Sequence, residues 1–364
     1  MMRMKPQSPE VFVADDDVVV IGRAEIEFLE DNVKHSLRRR TRLCVHKDLE
    51  ETLHEMLVVY TGATFIRPNK HPGKDESLHI LKGAADFVFF DEKGNVTEVV
   101  PLGDQESGKA FYIRVPEDTY HSMVMRSDKL VIHECINGPF RKGGTTVFAE
   151  WGPQEDDAEG VRKFTEMMSA GVDRFLEKNP PRLLKMMRMS NEVYNADEAV
   201  PRIGRKELDF LKDALPAAAR KRVRICAHRN TEEGLQEMFL AFDKDSYLRP
   251  SKHMGKDESL NVVEGRADVA IFDESGAITE VYSVGDKKSG FPFYFRTPHE
   301  KWHGWIIRSD VFVVHGTTEG PFRLEDTLDA PWTPEPGDVS AVAAYQQQLA
   351  CDATAAQKKQ LLPN

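Results

Sequence analysis

The chain has 364 residues, with 40% apolar and 30% charged residues and a net charge of −11. That length suffices for two domains with a full core each, while the acidic balance excludes bulk binding to nucleic acid, which rests on neutralising phosphates with Lys and Arg. No apolar run approaches the roughly 20 residues that cross a bilayer, MMRMKPQSPE at the start lacks the apolar core of a signal peptide, and four cysteines make no disulfide framework at this size, so a cytoplasmic protein with reduced thiols is expected.

Residues 1–20 are expected to form an arm packed on a sheet, and IGRAEIEFLEDNVKHSL (21–37) carries Ile26, Leu29, Val33 and Leu37 at helical spacing. From Thr41 the pattern turns to short β-type runs, among them TRLCVH, EMLVVY, SLHILKG, ADFVFFD, AFYIRVP, HSMVMR and KLVIHEC, punctuated by turn signals such as Glu92-Lys93-Gly94-Asn95. Many short strands at even spacing predict an all-β sandwich or barrel. Asp156–Asn179 then sets Val161, Phe164, Met168, Val172, Phe175 and Leu176 at helical intervals, ended by Pro180-Pro181. We read this as a helix joining two domains. The programme repeats from about Asn191, and a helical tail is expected after Asp338, an N-cap candidate. The expected divisions are an N-terminal domain with its arm (1–155), a helical linker (156–185), a C-terminal domain (186–338) and a helical tail (339–364).

The second half repeats the first. FIRPNKHPGKDESLHILKG (65–83) returns as YLRPSKHMGKDESLNVVEG (247–265), and one ungapped shift of 182 residues carries Gly22 onto Gly204, His46 onto His228, Glu76 onto Glu258, His121 onto His303 and Gly138-Pro139-Phe140 onto Gly320-Pro321-Phe322. What both halves kept marks the residues to weigh first.

His71, Glu76 and Gly83, with Pro116 and His121 far downstream, have the spacing of the two cupin motifs, and His253, Glu258, Gly265, Pro298 and His303 repeat it. The chain thus resembles the cupin superfamily. More narrowly, RLCVH, EMLVVYTGATFIRPNKH, KDES, FFDEKG, GPF and FAEWGPQE are similar to the WbuC-type cupin-fold metalloproteins, which are associated with surface-polysaccharide gene clusters and have no established reaction. The resemblance implies an all-β fold with flanking helices: two tandem jelly-roll β-barrels (double-stranded β-helix) joined by a helix, with a metal at each mouth. The usual first motif, His-x-His, is broken here, because its first position is Asn69 in one half and Ser251 in the other. Two histidines and a glutamate per barrel remain, a 2-His-1-carboxylate set with open positions. One divalent ion per barrel, iron, manganese, nickel or zinc, would suit it.

His46 and His228 are candidates for a further ligand, since Arg42, Cys44 and His46 share one face if TRLCVH is a strand; the alternative is a hydrogen-bonded histidine near the barrel mouth. Parity also places Arg67 with Asn69 and His71, and Arg249 with Ser251 and His253, so that these arginines, with Arg42 and Arg224 beside them, are candidates for binding an anionic group. An arginine paired with a protein carboxylate on the rim is the other reading. Trp302 and Trp305, where the first half has Tyr120 and Met123, predict a more aromatic second pocket. The expected partner is a small polar ligand, anionic or sugar-derived, with no nucleic acid and no membrane; a homo-oligomer is left open. Three functions fit: Lewis-acid isomerase, epimerase or lyase chemistry, a non-haem iron dioxygenase, or a non-catalytic metal-dependent sugar-binding protein.

Overall fold

The computed structural model describes residues 1–360. Each half forms an eight-stranded sheet facing a five-stranded one, the two faces of a jelly-roll barrel. In the first half the large sheet runs in the order 4–8, 11–14, 40–44, 53–61, 129–137, 76–82, 112–115, and the small one in the order 147–148, 69–70, 120–125, 84–90, 96–103. The strand Leu53–Thr61 shows how the sequence builds this: Met56, Val58 and Tyr60 enter the barrel core beside Phe87 and Phe89, while Leu57 and Val59 point the other way, under a helix. A strand covered on both faces reads as a near-continuous apolar run rather than an alternating one.

The eighth strand of each large sheet comes from the other half. Arg202–Ile203 pairs with Tyr112–Val115 of the first barrel, and Val19–Ile21 pairs with Tyr294–Thr297 of the second. Phe111 N–H donates to Ile203 O at 2.8 Å and Phe293 N–H to Ile21 O at 2.9 Å. The two halves are therefore stitched by reciprocal edge pairing, which covers the edges of Tyr112–Val115 and Tyr294–Thr297 with a strand from the opposite half.

Four α-helices lie among the described residues: α1 (Arg23–Asn32), α2 (Ala158–Lys178), α3 (Arg205–Ala214) and α4 (Val339–Gln360). Glu25 and Glu207 each accept the backbone N–H of the glycine that starts their helix, Gly22 or Gly204, at 2.9 Å. The helix expected as a linker does more than join. Phe164, Met168 and Val172 of α2 cover Val88, Phe90, Val99 and Val124 on the outer face of the first small sheet. Leu349 and Ala353 of α4 do the same for Ala270, Phe272, Val281 and Ile306 in the second. The arm (Met4–Ser8 and Val11–Ala14) adds two strands beside Arg40–Cys44.

Glycine is required at the turn after each metal-motif strand. Gly83 has φ +86° and Gly265 φ +85°, and a Cβ would fall 2.2 Å from Lys129 O or 2.4 Å from Val311 O.

Candidate metal centres and the cavity of the second barrel

His71 follows the short strand Asn69–Lys70, Glu76 opens the strand Glu76–Lys82, and His121 is the second residue of Tyr120–Met125. Three neighbouring strands thus deliver three side chains to one point. Glu76 Oε2 lies 3.6 Å from His71 Nε2 and 3.1 Å from His121 Nε2. The second barrel repeats the distances: Glu258 Oε2 is 3.6 Å from His253 Nε2 and 3.1 Å from His303 Nε2. In each trio the ligand atoms fall within 4.8 Å of one another, and the carboxylate-to-imidazole separations of 3.1 and 3.6 Å are ones that a single ion with bonds of about 2.0–2.2 Å can bridge.

The hydrogen bonds behind the rings set the donors. His71 Nδ1 is 2.9 Å from Thr145 O and His121 Nδ1 2.9 Å from Thr119 O; a carbonyl only accepts, so Nδ1 carries the proton and the Nε2 lone pair faces the carboxylate. His303 Nδ1 meets Lys301 O at 3.1 Å and His253 Nδ1 meets Thr327 Oγ1 at 3.1 Å. Glu76 Oε2 is buried with no hydrogen-bond partner. An orphaned carboxylate oxygen between two imidazole lone pairs is a donor set arranged for a cation. Burial pushes the Glu76 carboxyl up, but without a cation the protonated forms of His121 and His71 outweigh it and hold it below its ordinary value.

The structure does not bring His46 or His228 to these centres. His46 Nδ1 is 3.0 Å from Glu55 O and its ring stacks 4.0 Å from that of His54; His228 Nδ1 is 2.9 Å from Glu237 O. Neither joins a group whose ligand atoms converge. The strand ends at Cys44 or Cys226, so the alternation that would have carried the histidine onto the metal's face stops two residues short. Burial, then the charge of His54, lowers His46 to about 3, and burial, then Arg114, lowers His228 to about 4.

Arg67 donates to Gln154 Oε1 (2.8 Å) and Ala149 O (3.2 Å) and covers the Phe148 ring. Arg249 donates to Thr333 Oγ1 (2.8 Å), Asp329 (3.2 Å) and Glu335 (3.1 Å). Both clamp the closing segment of their own half; Arg249, paired with carboxylates, fits the rim reading while also lining the second cavity, and Arg67 holds an amide and a carbonyl instead. Arg42 and Arg224 are exposed. Asn69, opposite His121 in register, turns its amide to Arg67 O. Ser251 lines the second cavity. Trp305 also lines it, whereas Trp302 packs against Trp332.

That cavity has a volume of about 230 Å³ and runs from His253, Glu258 and His303 past Leu260, Met238, Leu240 and Gly316 to Phe242, Phe312 and Arg222. Among the described residues no Asp, Glu, Lys or His lines it apart from the triad itself, the other polar lining being Arg222, Arg249, Gln236, Ser251, Thr317 and Thr318. The first barrel differs at one register position. Glu134, between Met56 and Leu78, stands where Gly316 lies between Met238 and Leu260. Burial, then the charge of Glu76, pushes the Glu134 carboxyl up to about 8.

A third group, Glu55, His133 and Cys135, is wholly buried between the barrels. Arg296 NH1 stands 3.3 Å from Glu55 Oε2, and Ser259 Oγ donates to Glu55 Oε1 at 2.5 Å, so a protein cation already neutralises that carboxylate. We read it as structural.

Two jelly-roll barrels in one chain, each holding a convergent His-Glu-His trio, give this chain a two-barrel, bicupin-type fold. Residues 21–102 and 203–284 match a family described as a domain of unknown function (DUF6016), and these two stretches are related by the same 182-residue shift. No curated protein matches the sequence. Among solved structures, a variant of salicylate 1,2-dioxygenase from Pseudoaminobacter salicylatoxidans superposes with TM-score 0.55 at 12% identity, over 88% of this chain and 87% of that one. A second variant of that enzyme, in complex with gentisate, gives TM-score 0.55 at 11% identity over 86% and 83%. At such identity the likeness is one of fold. No described helix is long and apolar enough to cross a membrane.

Proposed function

We propose that the protein is a divalent-metal-dependent enzyme and that its second barrel carries out iron(II)-type oxidation chemistry on a small, largely apolar compound. The observation that carries this reading is the pairing of a 2-His-1-carboxylate trio with a cavity whose walls are largely apolar and aromatic and, among the described residues, hold no Asp, Glu, Lys or His besides the trio. Such a trio leaves open positions for substrate and dioxygen when iron is bound. The residues of this chain would contribute binding and exclusion: Thr327 and Lys301 fix the imidazoles, and Leu240, Leu260, Phe312 and Trp305 keep water from the substrate. Isomerase or lyase chemistry needs a group that takes and returns a proton, and the second cavity has none outside the ligands.

Glu134 favours a second reading for the first barrel: Lewis-acid chemistry in which a carboxyl able to change its protonation near neutral pH moves the proton. We further take the chain as similar to the WbuC-type proteins on its RLCVH, KDES and FAEWGPQE blocks, as a cytoplasmic protein on its four free cysteines, and as two cupin units of residues 1–155 and 186–338. The test of the main reading is elemental analysis of purified protein, followed by anaerobic loading with iron(II) and oxygen-electrode measurements against small aromatic and aliphatic acids. Absence of any bound divalent metal, or iron loading with no oxygen uptake for any compound that binds, overturns it.

A further inference from the structure

We infer that the cavity of the second barrel takes a small amphipathic monoanion, its carboxylate paired with Arg222 and its aromatic or aliphatic body in the space that Gly316 leaves open. The inference rests on the proposed metal-dependent reading and adds the chemical class of the ligand to it.

Three differences between the halves point the same way. The first is the pairing of the arginine. Arg40, the first-half counterpart of Arg222, is 3.3 Å from Glu155, four residues beyond Trp151. Trp332 occupies the place of Trp151, each indole lying against the glycine of the matching turn, Gly276 or Gly94. The residue four beyond Trp332 is Pro336, and among the described residues Arg222 makes neither a salt bridge nor a side-chain hydrogen bond. Half-buried on the cavity wall, it is a cation without its counter-ion. Arg220 and Arg224 add positive charge nearby, and the one neighbouring carboxylate, Glu192, is held by Arg220 at 2.5 Å. Burial, then those two arginines, pulls the Arg222 guanidinium below its ordinary value, as expected of a charge lacking a partner.

The second difference is the exchange of Glu134 for Gly316 at one register position. A carboxylate there would repel an anion and fill the lumen. Its replacement by glycine removes both obstacles, and even a Cβ would press on Leu260 at 3.1 Å and Leu240 at 3.3 Å. The third is the lining: Phe242 and Trp305 stand where the first barrel has Tyr60 and Met123. Aromatic walls beside the unpaired guanidinium of Arg222 suit an apolar body with a single anionic head, the other arginine of the lining, Arg249, being already held by Asp329 and Glu335.

The experiment is calorimetric titration of benzoate, 3-phenylpropanoate and hexanoate, each beside its neutral amide, into wild type, Arg222→Gln, Arg222→Lys, Gly316→Glu and Arg40→Gln, with metal content measured on every sample. At least one acid should bind wild type more tightly than its amide. Arg222→Gln should weaken that acid roughly 10- to 100-fold and leave the amide unchanged. Lysine should restore it in part, because the two-pronged contact is lost. Gly316→Glu should abolish acid binding, and Arg40→Gln should change nothing. Metal content serves as the fold control and separates the two readings: protein without metal overturns the proposed function, whereas metal-replete protein that binds no acid better than its amide, or whose preference survives Arg222→Gln, overturns this inference.

Discussion

Ser77 of the first half donates a 2.6 Å hydrogen bond to Glu237 of the second, and Ser259 returns the contact to Glu55 at 2.5 Å. Around Glu237 the network closes. Glu237 also takes Tyr112 OH at 2.8 Å and Arg114 at 3.0 Å, and Arg114 spans on to Asp75 and Glu233, both at 2.8 Å. Glu55 has Arg296 and His133 in the matching places. Charge this deeply buried is tolerated only when paired, and removing one partner of such a pair costs about 3–5 kcal/mol. Arg114→Met should therefore destabilise the protein by that amount in urea unfolding; a loss below about 1 kcal/mol, the worth of a surface pair, would mean the network is dispensable.

The same network sets an acid limit. Burial would push the Glu237 carboxyl up, but the hydrogen bond from His315, the charges of His315 and Arg114, and the Ser77 hydroxyl bring it down to about 2. A group whose folded pKa lies below its unfolded value of about 4.3 stabilises the fold above that value, and the contribution is lost as pH falls through the folded pKa. Thermal midpoints should fall steadily from pH 4.5 towards pH 2, and Glu237→Gln should show a shallower fall over that window.

What the two halves share was readable, and what they exchange was not. The 182-residue shift revealed both trios because cupin spacing recurs twice with identical residues. The crossed edge strands, 19–21 and 202–203, are two or three residues long and carry no pattern that names a partner in the other half. Parity placed arginines on the right face of the strand 222–226 but favoured Arg224, since nothing local distinguishes a solvent-facing end from a cavity-facing one. The signals that would have found Arg222 were differences between the repeats: Pro336 against Glu155, and Gly316 against Glu134. Retained residues located the metal centres; altered ones located the cavity.

The two centres should empty independently, because each trio is drawn from its own barrel. His71→Ala with His121→Ala should remove about half of the metal bound by wild type and leave the oxygen uptake assigned to the second barrel intact, while His253→Ala with His303→Ala should remove the other half and that uptake. Elemental analysis of the two double variants decides it; unchanged metal in either would show that the trio binds none.

Glu134 should make metal-free protein sensitive to alkali. Burial and the charge of Glu76 hold its carboxyl up at about 8, well above its unfolded value. The stabilising contribution of such a group is fully present below the unfolded pKa and lost as pH rises through the folded one. In chelator-treated samples, wild type should lose thermal stability between pH 6 and pH 9, and Glu134→Gln should lose less. Parallel profiles for the two proteins would show that the carboxyl is not held protonated.

Reciprocal edge pairing makes each barrel depend on the opposite half. Val19, Val20 and Ile21 pair with Arg296, Phe295 and Tyr294, and Val19 and Ile21 are buried within the same apolar cluster as Phe293 and Tyr294. Removing residues 1–21 would therefore strip an edge strand from the second barrel, to which those residues are remote in sequence. The first barrel would lose only the arm strands at the far edge of its sheet. The expected result in hydrogen-exchange mass spectrometry is faster exchange across residues 293–297 than across residues 111–115, where Arg202–Ile203 still supplies the partner strand. The contrast carries the prediction, since general destabilisation would speed both segments alike. Equal acceleration, or protection of 293–297 unchanged, would mean that the exchanged strand does not hold the second barrel's edge.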